Sequence, residues 1–122
     1  MNNRRVLVVE DDRYSREMTS HMFTYHQLPV DVAATAEAAL ELLKTSQYAL
    51  LVVDLALPGM DGWALLRTLK SMPTLAVVPC VAITAYHDAS VARQALQVGF
   101  SAYYPKPLQT SFVPQLQSAF LK

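Results

Sequence analysis

Apolar residues recur along the chain in five short runs, and these runs are the predicted strands. The first, third and fourth runs are nearly continuous in Val, Leu, Ile and Ala, which is typical of parallel strands covered on both faces. The second and fifth runs are shorter and match that pattern less clearly. The predicted strands span about residues 5–9, 30–34, 49–53, 77–83 and 102–104.

Helical spacing follows each run, so the sequence predicts a helix after every strand. The helices are predicted over about residues 13–26, 36–44, 62–71, 89–98 and 112–121. In the first of them Tyr14, Met18, Met22 and Tyr25 follow one another at spacings of four, four and three residues, which places them on one stripe. We expect Met18 and Met22 to pack in the core.

Short polar residues and helix breakers mark the ends of the predicted helices. Thr35 and Asp88 are predicted N-caps and Ser111 is a possible one, because their side chains can accept a hydrogen bond from a backbone N–H of the first turn. Gly99 is predicted to end the fourth helix, and Pro73 closes off the third.

The strict alternation of strand and helix predicts an α/β fold. Parallel strands joined by right-handed crossovers form a three-layer sandwich, with helices on both faces of a doubly wound sheet. Ligands of such open sheets bind beyond the carboxyl ends of the strands. The residues that directly follow each strand are therefore the first candidates for a functional site.

Composition narrows the classes of protein. The chain has 122 residues, 52% of them apolar and 16% charged, which favours one compact domain over disorder, and its aliphatic runs are too short to span a membrane. The N-terminus lacks the features of a signal peptide, so we expect a cytoplasmic protein. The net charge of zero argues against direct binding to nucleic acid. Cys80, the only cysteine, is expected to be a buried apolar residue.

Chemically active side chains follow four of the five predicted strands. They are Glu10, Asp11 and Asp12 after the first strand, Asp54 at the end of the third, Thr84 after the fourth and Lys106 after the fifth. Parallel strands bring all of them to one edge, where clustered carboxylates favour a hard divalent cation and Mg²⁺ in particular. Beside such a cation Asp54 could act as a nucleophile toward phosphorus, with Lys106 and Thr84 stabilising the phosphoryl oxygens.

The motifs "VLVVEDD", "VVDLALPGMDGW", "AITAY" and "YYPKP" occur at these strand ends. With them the chain resembles the receiver domain of bacterial two-component response regulators over about residues 4–121. The resemblance implies a flavodoxin-like (βα)5 fold with strand order 2-1-3-4-5. It also implies a single receiver domain over residues 1–122, with no output domain in the chain.

The resemblance assigns the metal site and the phosphoacceptor. Asp54 matches the phosphoacceptor, Asp11 the direct magnesium ligand and Glu10 an acid that acts largely through water. The backbone carbonyl of Ala56 matches the third protein ligand of the metal, which is Mg²⁺ and which Mn²⁺ could replace. Asp12 lies one residue beyond the matching acidic pair, and we expect it to be a solvated charge at a helix start.

The resemblance also assigns a conformational switch. Thr84 matches the switch hydroxyl, and Tyr103 matches the aromatic residue that turns inward when the hydroxyl moves toward the phosphoryl group. Lys106 matches the phosphate-binding lysine, and Pro107, whose preceding peptide bond is usually cis in the family, helps to aim it. From its place two residues after Thr84, we hypothesise that Tyr86 tunes the access of hydrolytic water.

These assignments predict a phosphorylation-controlled signalling switch rather than a multiple-turnover enzyme. A histidine kinase or histidine phosphotransfer protein would donate the phosphoryl group, and the surface formed by helix 4, strand 5 and helix 5 would change. The receiver would catalyse its own phosphorylation and dephosphorylation, and would be a monomer or a weak phosphorylation-dependent dimer. The charge-paired dimer of one subfamily is in doubt, because Ala102 precedes Tyr103 and no arginine follows Arg93. The sequence does not identify the downstream output.

Three other functions are less favoured. A phosphatase that works through an aspartyl phosphate would carry a second aspartate two residues after Asp54, where this chain has Ala56. A degenerate receiver that serves only as a docking platform usually lacks an acid, the acceptor or the lysine, and none is missing here. Nucleotide binding lacks a Gly-rich loop after the first strand.

Overall fold

A computed structural model describes residues 3–122, and it contains every predicted strand and helix. The strands are β1 (Val6–Val9), β2 (Val30–Ala33), β3 (Leu50–Asp54), β4 (Cys80–Thr84) and β5 (Ala102–Pro105). The helices are α1 (Arg13–Tyr25), α2 (Ala36–Thr45), α3 (Gly62–Lys70), α4 (Ala89–Val98) and α5 (Phe112–Phe120).

The strands form one parallel sheet in the order β2-β1-β3-β4-β5, as predicted. One face of the sheet packs against buried residues of α2, α3 and α4, and the other packs against α1 and α5. Within β1, Leu7 and Val9 point to the first face while Val6 and Val8 point to the second. This double coverage explains why the central strands are continuously apolar.

The stripe predicted along α1 is not a core face. Tyr14 is 72% exposed, Met18 48% and Tyr25 83%, so the prediction that Met18 is core is wrong. Met22 is half-buried and packs against the edge of the core. The stripe is therefore largely an exposed apolar surface.

The inward face of α1 is centred on Thr19 and Phe23, its two buried residues. The Phe23 ring meets the ring of Phe112 edge to face, with centroids 6.0 Å apart, and this geometry suits the quadrupoles of both rings. The sequence pattern overlooked this face because Thr19 does not count as apolar.

Local hydrogen bonding explains most of the element ends. Thr35 and Asp88 accept backbone N–H groups of their helices, as N-caps do, and Gly99 ends α4 at a φ of 122°. Ser111 makes no side-chain cap bond, so its possible capping role is not supported. β4 begins at Cys80 rather than near Val77, which is 81% exposed in a segment whose backbone bonds are local turns.

Cys80 lies in the core, as predicted, and is 1% exposed. Burial raises the pKa of its thiol to about 11, so the sulfur stays protonated and unreactive at neutral pH. Within residues 3–122 no helix is long and apolar enough to cross a membrane.

Candidate functional site

The parallel register carries the predicted residues to one edge of the sheet. Glu10 directly follows β1, Asp54 ends β3, Thr84 ends β4 and Lys106 directly follows β5. The N–H of Lys106 donates to the carbonyl of Thr84 at 2.8 Å, which extends the pairing of β4 and β5 past the last strand residue. The pairing of the strands thus fixes the Cα positions of these four residues along the sheet edge.

Three carboxylates meet at this edge. Glu10, Asp11 and Asp54 each offer an oxygen within 4.8 Å of the others. Glu10 is 0% exposed and Asp54 5% exposed, while Asp11 faces solvent. The carboxylate oxygens are thus shielded by protein on the side of Glu10 and Asp54 and open to solvent on the side of Asp11. Such a set fits a hard cation such as Mg²⁺, which retains several water ligands.

Lys106 supplies positive charge to this cluster. Its Nζ donates to Asp54 Oδ2 at 2.7 Å and also to Glu10 Oε1. Burial lowers the pKa of Lys106, but the hydrogen bonds to Asp54 and Glu10 outweigh burial and raise it. For Glu10, burial is the main cause of a raised pKa, and the hydrogen bond from Lys106 opposes it. The lysine therefore stays charged and offsets part of the repulsion between the carboxylates.

Hydrogen bonds hold both oxygens of Asp54. Oδ1 accepts the N–H of Ala56 at 2.8 Å, and Oδ2 accepts from Lys106. Asp54 lies at the sheet edge, as predicted, but the surrounding groups leave it almost fully buried. A carboxylate held at both oxygens in a partly dry site is preorganised for chemistry.

Asp12 stands apart from the cluster, as predicted. Its carboxylate caps α1 by accepting the N–H of Ser15 at 2.8 Å, and this bond lowers the pKa of Asp12. It is an exposed charge at a helix start.

Gly62 brings α3 against the end of β3. Its N–H donates to the carbonyl of Leu55 at 3.2 Å, and a Cβ at this position would lie 2.4 Å from the carbonyl oxygen of Asp54. Real Cβ atoms do not approach backbone so closely, so only glycine fits. The sequence did not indicate this close approach.

Thr84 and the loop after it line a groove beside Asp54. Thr84 is 2% exposed, and its Oγ1 accepts the N–H of Tyr86 at 3.0 Å, while Tyr86 itself is 75% exposed. The groove has a volume of about 370 Å³. Its lining includes Ala56, Trp63, Arg67, Thr84, Tyr86 and Gln94. Sequence reasoning had not associated Trp63 or Arg67 with the site.

Tyr103 and Tyr104 lie on opposite faces of β5. Tyr103 packs against the core on the side of α2, α3 and α4, and Tyr104 meets Phe112 on the other side with ring centroids 4.9 Å apart. The hydroxyl of Tyr103 lies 3.0 Å from Nδ1 of His87.

The family model for the response regulator receiver domain matches residues 6–116. This chain belongs to that family. Receiver domains of this family are phosphoacceptors of two-component signalling, and the arrangement of acids, Thr84 and Lys106 follows the order that the sequence motifs indicated.

Relatives of this receiver domain include short and long proteins. An uncharacterized 14.6 kDa protein in the sodA1 3′ region of Leptolyngbya boryana is 37% identical over 84% of this chain and 79% of its own length. Response regulator MprA of Mycobacterium ulcerans is 33% identical over 84% of this chain and 44% of its length. Transcriptional regulatory protein HprR of Escherichia coli is 29% identical over 88% of this chain and 47% of its length. The chain thus spans about half of each of these two regulators.

Solved structures share the fold of this receiver domain. A response regulator receiver protein from Pseudomonas putida superposes with a TM-score of 0.88 at 22% identity, covering 98% of both chains. Chemotaxis response regulator CheY4 of Vibrio cholerae gives a TM-score of 0.87 at 21% identity, covering 97% of this chain and 99% of its own. Both confirm the flavodoxin-like architecture.

Two further features of the receiver site complete its geometry. The Lys106–Pro107 peptide bond is cis, as the family resemblance implied. Arg16, which sequence reasoning missed, donates from Nη1 to the carbonyls of Glu10 and Asp11 at 3.1 and 3.2 Å. The role of Arg16 could have been predicted from its place one turn into the helix that follows the acidic loop. From that position its side chain can reach the carbonyls of the loop.

Proposed function

We propose that this receiver domain accepts a phosphoryl group on Asp54 from a phosphohistidine of a histidine kinase or histidine phosphotransfer protein. The observation that carries the proposal is the Asp54 carboxylate, almost fully buried at the end of β3 beside two further acids and the ammonium of Lys106. A buried carboxylate is stable only beside cationic partners. Buried ionisable groups with such partners are frequent at functional sites.

In the proposed step a carboxylate oxygen of Asp54 attacks phosphorus in line with the P–N bond. The P–O bond forms as the P–N bond breaks, and the electron pair leaves with the imidazole nitrogen, which takes up a proton. Lys106 and Thr84 stabilise charge on the equatorial oxygens. Because the acceptor is already held by hydrogen bonds, little reorganisation is needed.

The acidic cluster is the proposed magnesium site. Asp11, Asp54 and the carbonyl of Ala56 would bind the ion directly and Glu10 largely through water. When bound, Mg²⁺ would neutralise repulsion between the carboxylate and the phosphoryl oxygens. The all-oxygen donor set supports this choice, and Arg16 supports it further by fixing the loop that carries Glu10 and Asp11.

We propose Thr84 and Tyr103 as the switch residues. The phosphoryl group would draw the Thr84 hydroxyl toward Asp54, and Tyr103 would turn into the space released. The surface of α4, β5 and α5 would then change, and with it the affinity for an output partner. The buried position of Thr84 and the half-buried ring of Tyr103 are consistent with this coupling.

Tyr86 is proposed to restrict hydrolytic water, because it lines the groove beside Thr84 and Ala56. We expect Tyr86→Ala to shorten the phosphoryl lifetime by about tenfold, which corresponds to a fall of about 1.4 kcal/mol in the barrier to hydrolysis. The decay of the phosphorylated form, followed by mass spectrometry after donor removal, measures this. An unchanged lifetime would show that Tyr86 has no such role.

The exposed stripe of α1 supports a protein as the phosphodonor. Tyr14, Met18 and Met22 line a groove that continues to Lys106 and Pro107, so an apolar surface borders the site. Exposed aromatic and methionine side chains are typical of contact surfaces for proteins. A phosphohistidine carried on a helical partner could approach Asp54 along it.

We therefore expect Met18→Ser to slow phosphotransfer from a phosphorylated histidine phosphotransfer protein about tenfold, the effect of losing one well-buried interface side chain. Labelling by a small acyl-phosphate donor should not change, because such a donor needs no docking surface. Val77→Ser is the matched control, since Val77 is 81% exposed in the loop between α3 and β4. Equal slowing with both donors would contradict a docking role for Met18.

The proposed function itself is tested by incubating the chain with Mg²⁺ and a small acyl-phosphate donor. We expect one phosphoryl group per molecule, labile to hydroxylamine as acyl phosphates are, and mapped to Asp54 by borohydride reduction and peptide mass spectrometry. Uptake that needs no divalent cation, or a label on another residue, would reject the assignment.

A further inference from the structure

We propose that His87 is a positioning residue that holds Tyr103 in its present conformation and thereby restrains the switch. The proposal rests on the proposed function. Nδ1 of His87 lies 3.0 Å from the hydroxyl oxygen of Tyr103, and the two rings lie 5.7 Å apart at 41°. A single hydrogen bond thus joins the loop between β4 and α4 to the aromatic residue on β5.

The loop that carries His87 is tied at both ends. At its start the Oγ1 of Thr84 accepts the N–H of Tyr86 at 3.0 Å. At its end the Asp88 carboxylate accepts the N–H of Ser90 at 2.7 Å and so begins α4. His87 lies between these two anchors. A movement of Thr84 toward Asp54 therefore displaces the start of this loop, and Tyr86, which is bonded to Thr84, is the residue directly before His87.

The contact with His87 favours one position of the Tyr103 ring. The ring packs against the core, while its hydroxyl is held near the surface by the imidazole. Turning the ring inward breaks this bond, so the bond stabilises the conformation present before phosphorylation.

The bond survives a change of protonation. A neutral His87 can accept from the Tyr103 hydroxyl at Nδ1, and a protonated one can donate to the hydroxyl oxygen. Asp88 is the charged group next to it in the chain, and its charge is engaged in capping α4. The contact between the imidazole and the Tyr103 hydroxyl is therefore available in both protonation states.

The test uses the phosphoryl analogue beryllium trifluoride, titrated with Mg²⁺ into the full chain and followed by the fluorescence of Trp63, the only tryptophan. Removing the restraint raises the population of the switched state, so His87→Ala and Tyr103→Phe should each tighten binding by about fivefold, the effect of one hydrogen bond. The double variant should be no tighter than either single variant, because both remove the same bond.

Two controls separate positioning from packing. His87→Asn keeps a polar group near the place of Nδ1 and should return binding toward that of the unaltered chain, and Tyr104→Phe should leave binding unchanged. Additive effects in the double variant, or equal affinities throughout, would overturn the restraint. If the unaltered chain neither binds the analogue nor takes up a phosphoryl group on Asp54, the proposed function fails, and the restraint with it.

Discussion

Asp54→Asn should take up no phosphoryl group from either a phosphohistidine or a small acyl-phosphate donor. The amide that replaces the carboxylate is not a nucleophile toward phosphorus at neutral pH. It also removes one of the three carboxylates, so Mg²⁺ affinity should fall as well, by about tenfold or more. Intact-mass measurement and magnesium titration check the two effects separately.

The fold of the Asp54→Asn variant should be intact, which makes the loss interpretable. Asparagine has the same shape, and Lys106 retains its bond to Glu10. Asp12→Asn is the matched control: asparagine caps helices about as well as aspartate, and Asp12 lies outside the cluster, so this variant should be labelled normally. Labelling of Asp54→Asn at an undiminished level would mean that another carboxylate accepts the phosphoryl group.

The central strands could be predicted because burial on both faces leaves continuous apolar runs in the sequence, whereas the strand order was implied only by the family resemblance. Residues 6–9 and 50–53 are apolar without interruption, and the side chains on both faces of these strands are buried. Alternation with helices then requires parallel pairing, and parallel pairing brings Glu10, Asp54 and Lys106 to one edge. The position of the site therefore follows from backbone topology.

Side-chain direction within α1 could not be predicted in the same way. The exposed stripe of α1 carries more apolar residues than the inward face, whose buried residues are Thr19 and Phe23. A surface for a partner and a core surface look alike in sequence. The contact between Phe23 and Phe112 determines which face of α1 turns inward. These residues are 89 positions apart in the chain, so no local pattern encodes their contact.

The contacts of His87 and Arg16 were missed for a related reason. His87 meets Tyr103 from a neighbouring loop, and Arg16 reaches back to the carbonyls of Glu10 and Asp11. Both depend on how a loop folds over the sheet edge, and periodicity carries no information about this. The residue types at the strand ends therefore indicated the candidate reacting groups. They did not indicate the side chains, such as Arg16 and His87, that contact the loops and residues around them.

Gly62→Ala should damage both stability and phosphoryl uptake. The added Cβ would sit 2.4 Å from the carbonyl oxygen of Asp54 and 2.8 Å from Cα of Leu55, and both are backbone atoms that cannot rotate away. We expect the free energy of unfolding to fall by about 2 kcal/mol, since overpacking costs up to about 3 kcal/mol and alanine regains up to about 1 kcal/mol of helix propensity.

Uptake should fall because relief of this clash moves α3 or the end of β3, and with it the carboxylate of Asp54. A displacement near 1 Å at a reacting group costs about a hundredfold in rate. Gly59→Ala is the matched control: its Cβ would meet only Glu37 Oε2, at 3.7 Å, and its penalty of about 1 kcal/mol comes from a φ of 69°. Urea unfolding and the rate of acyl-phosphate labelling distinguish the variants. Gly59→Ala should be mildly destabilised with normal labelling. Gly62→Ala with normal labelling would show that the contact between α3 and β3 does not position the carboxylate of Asp54.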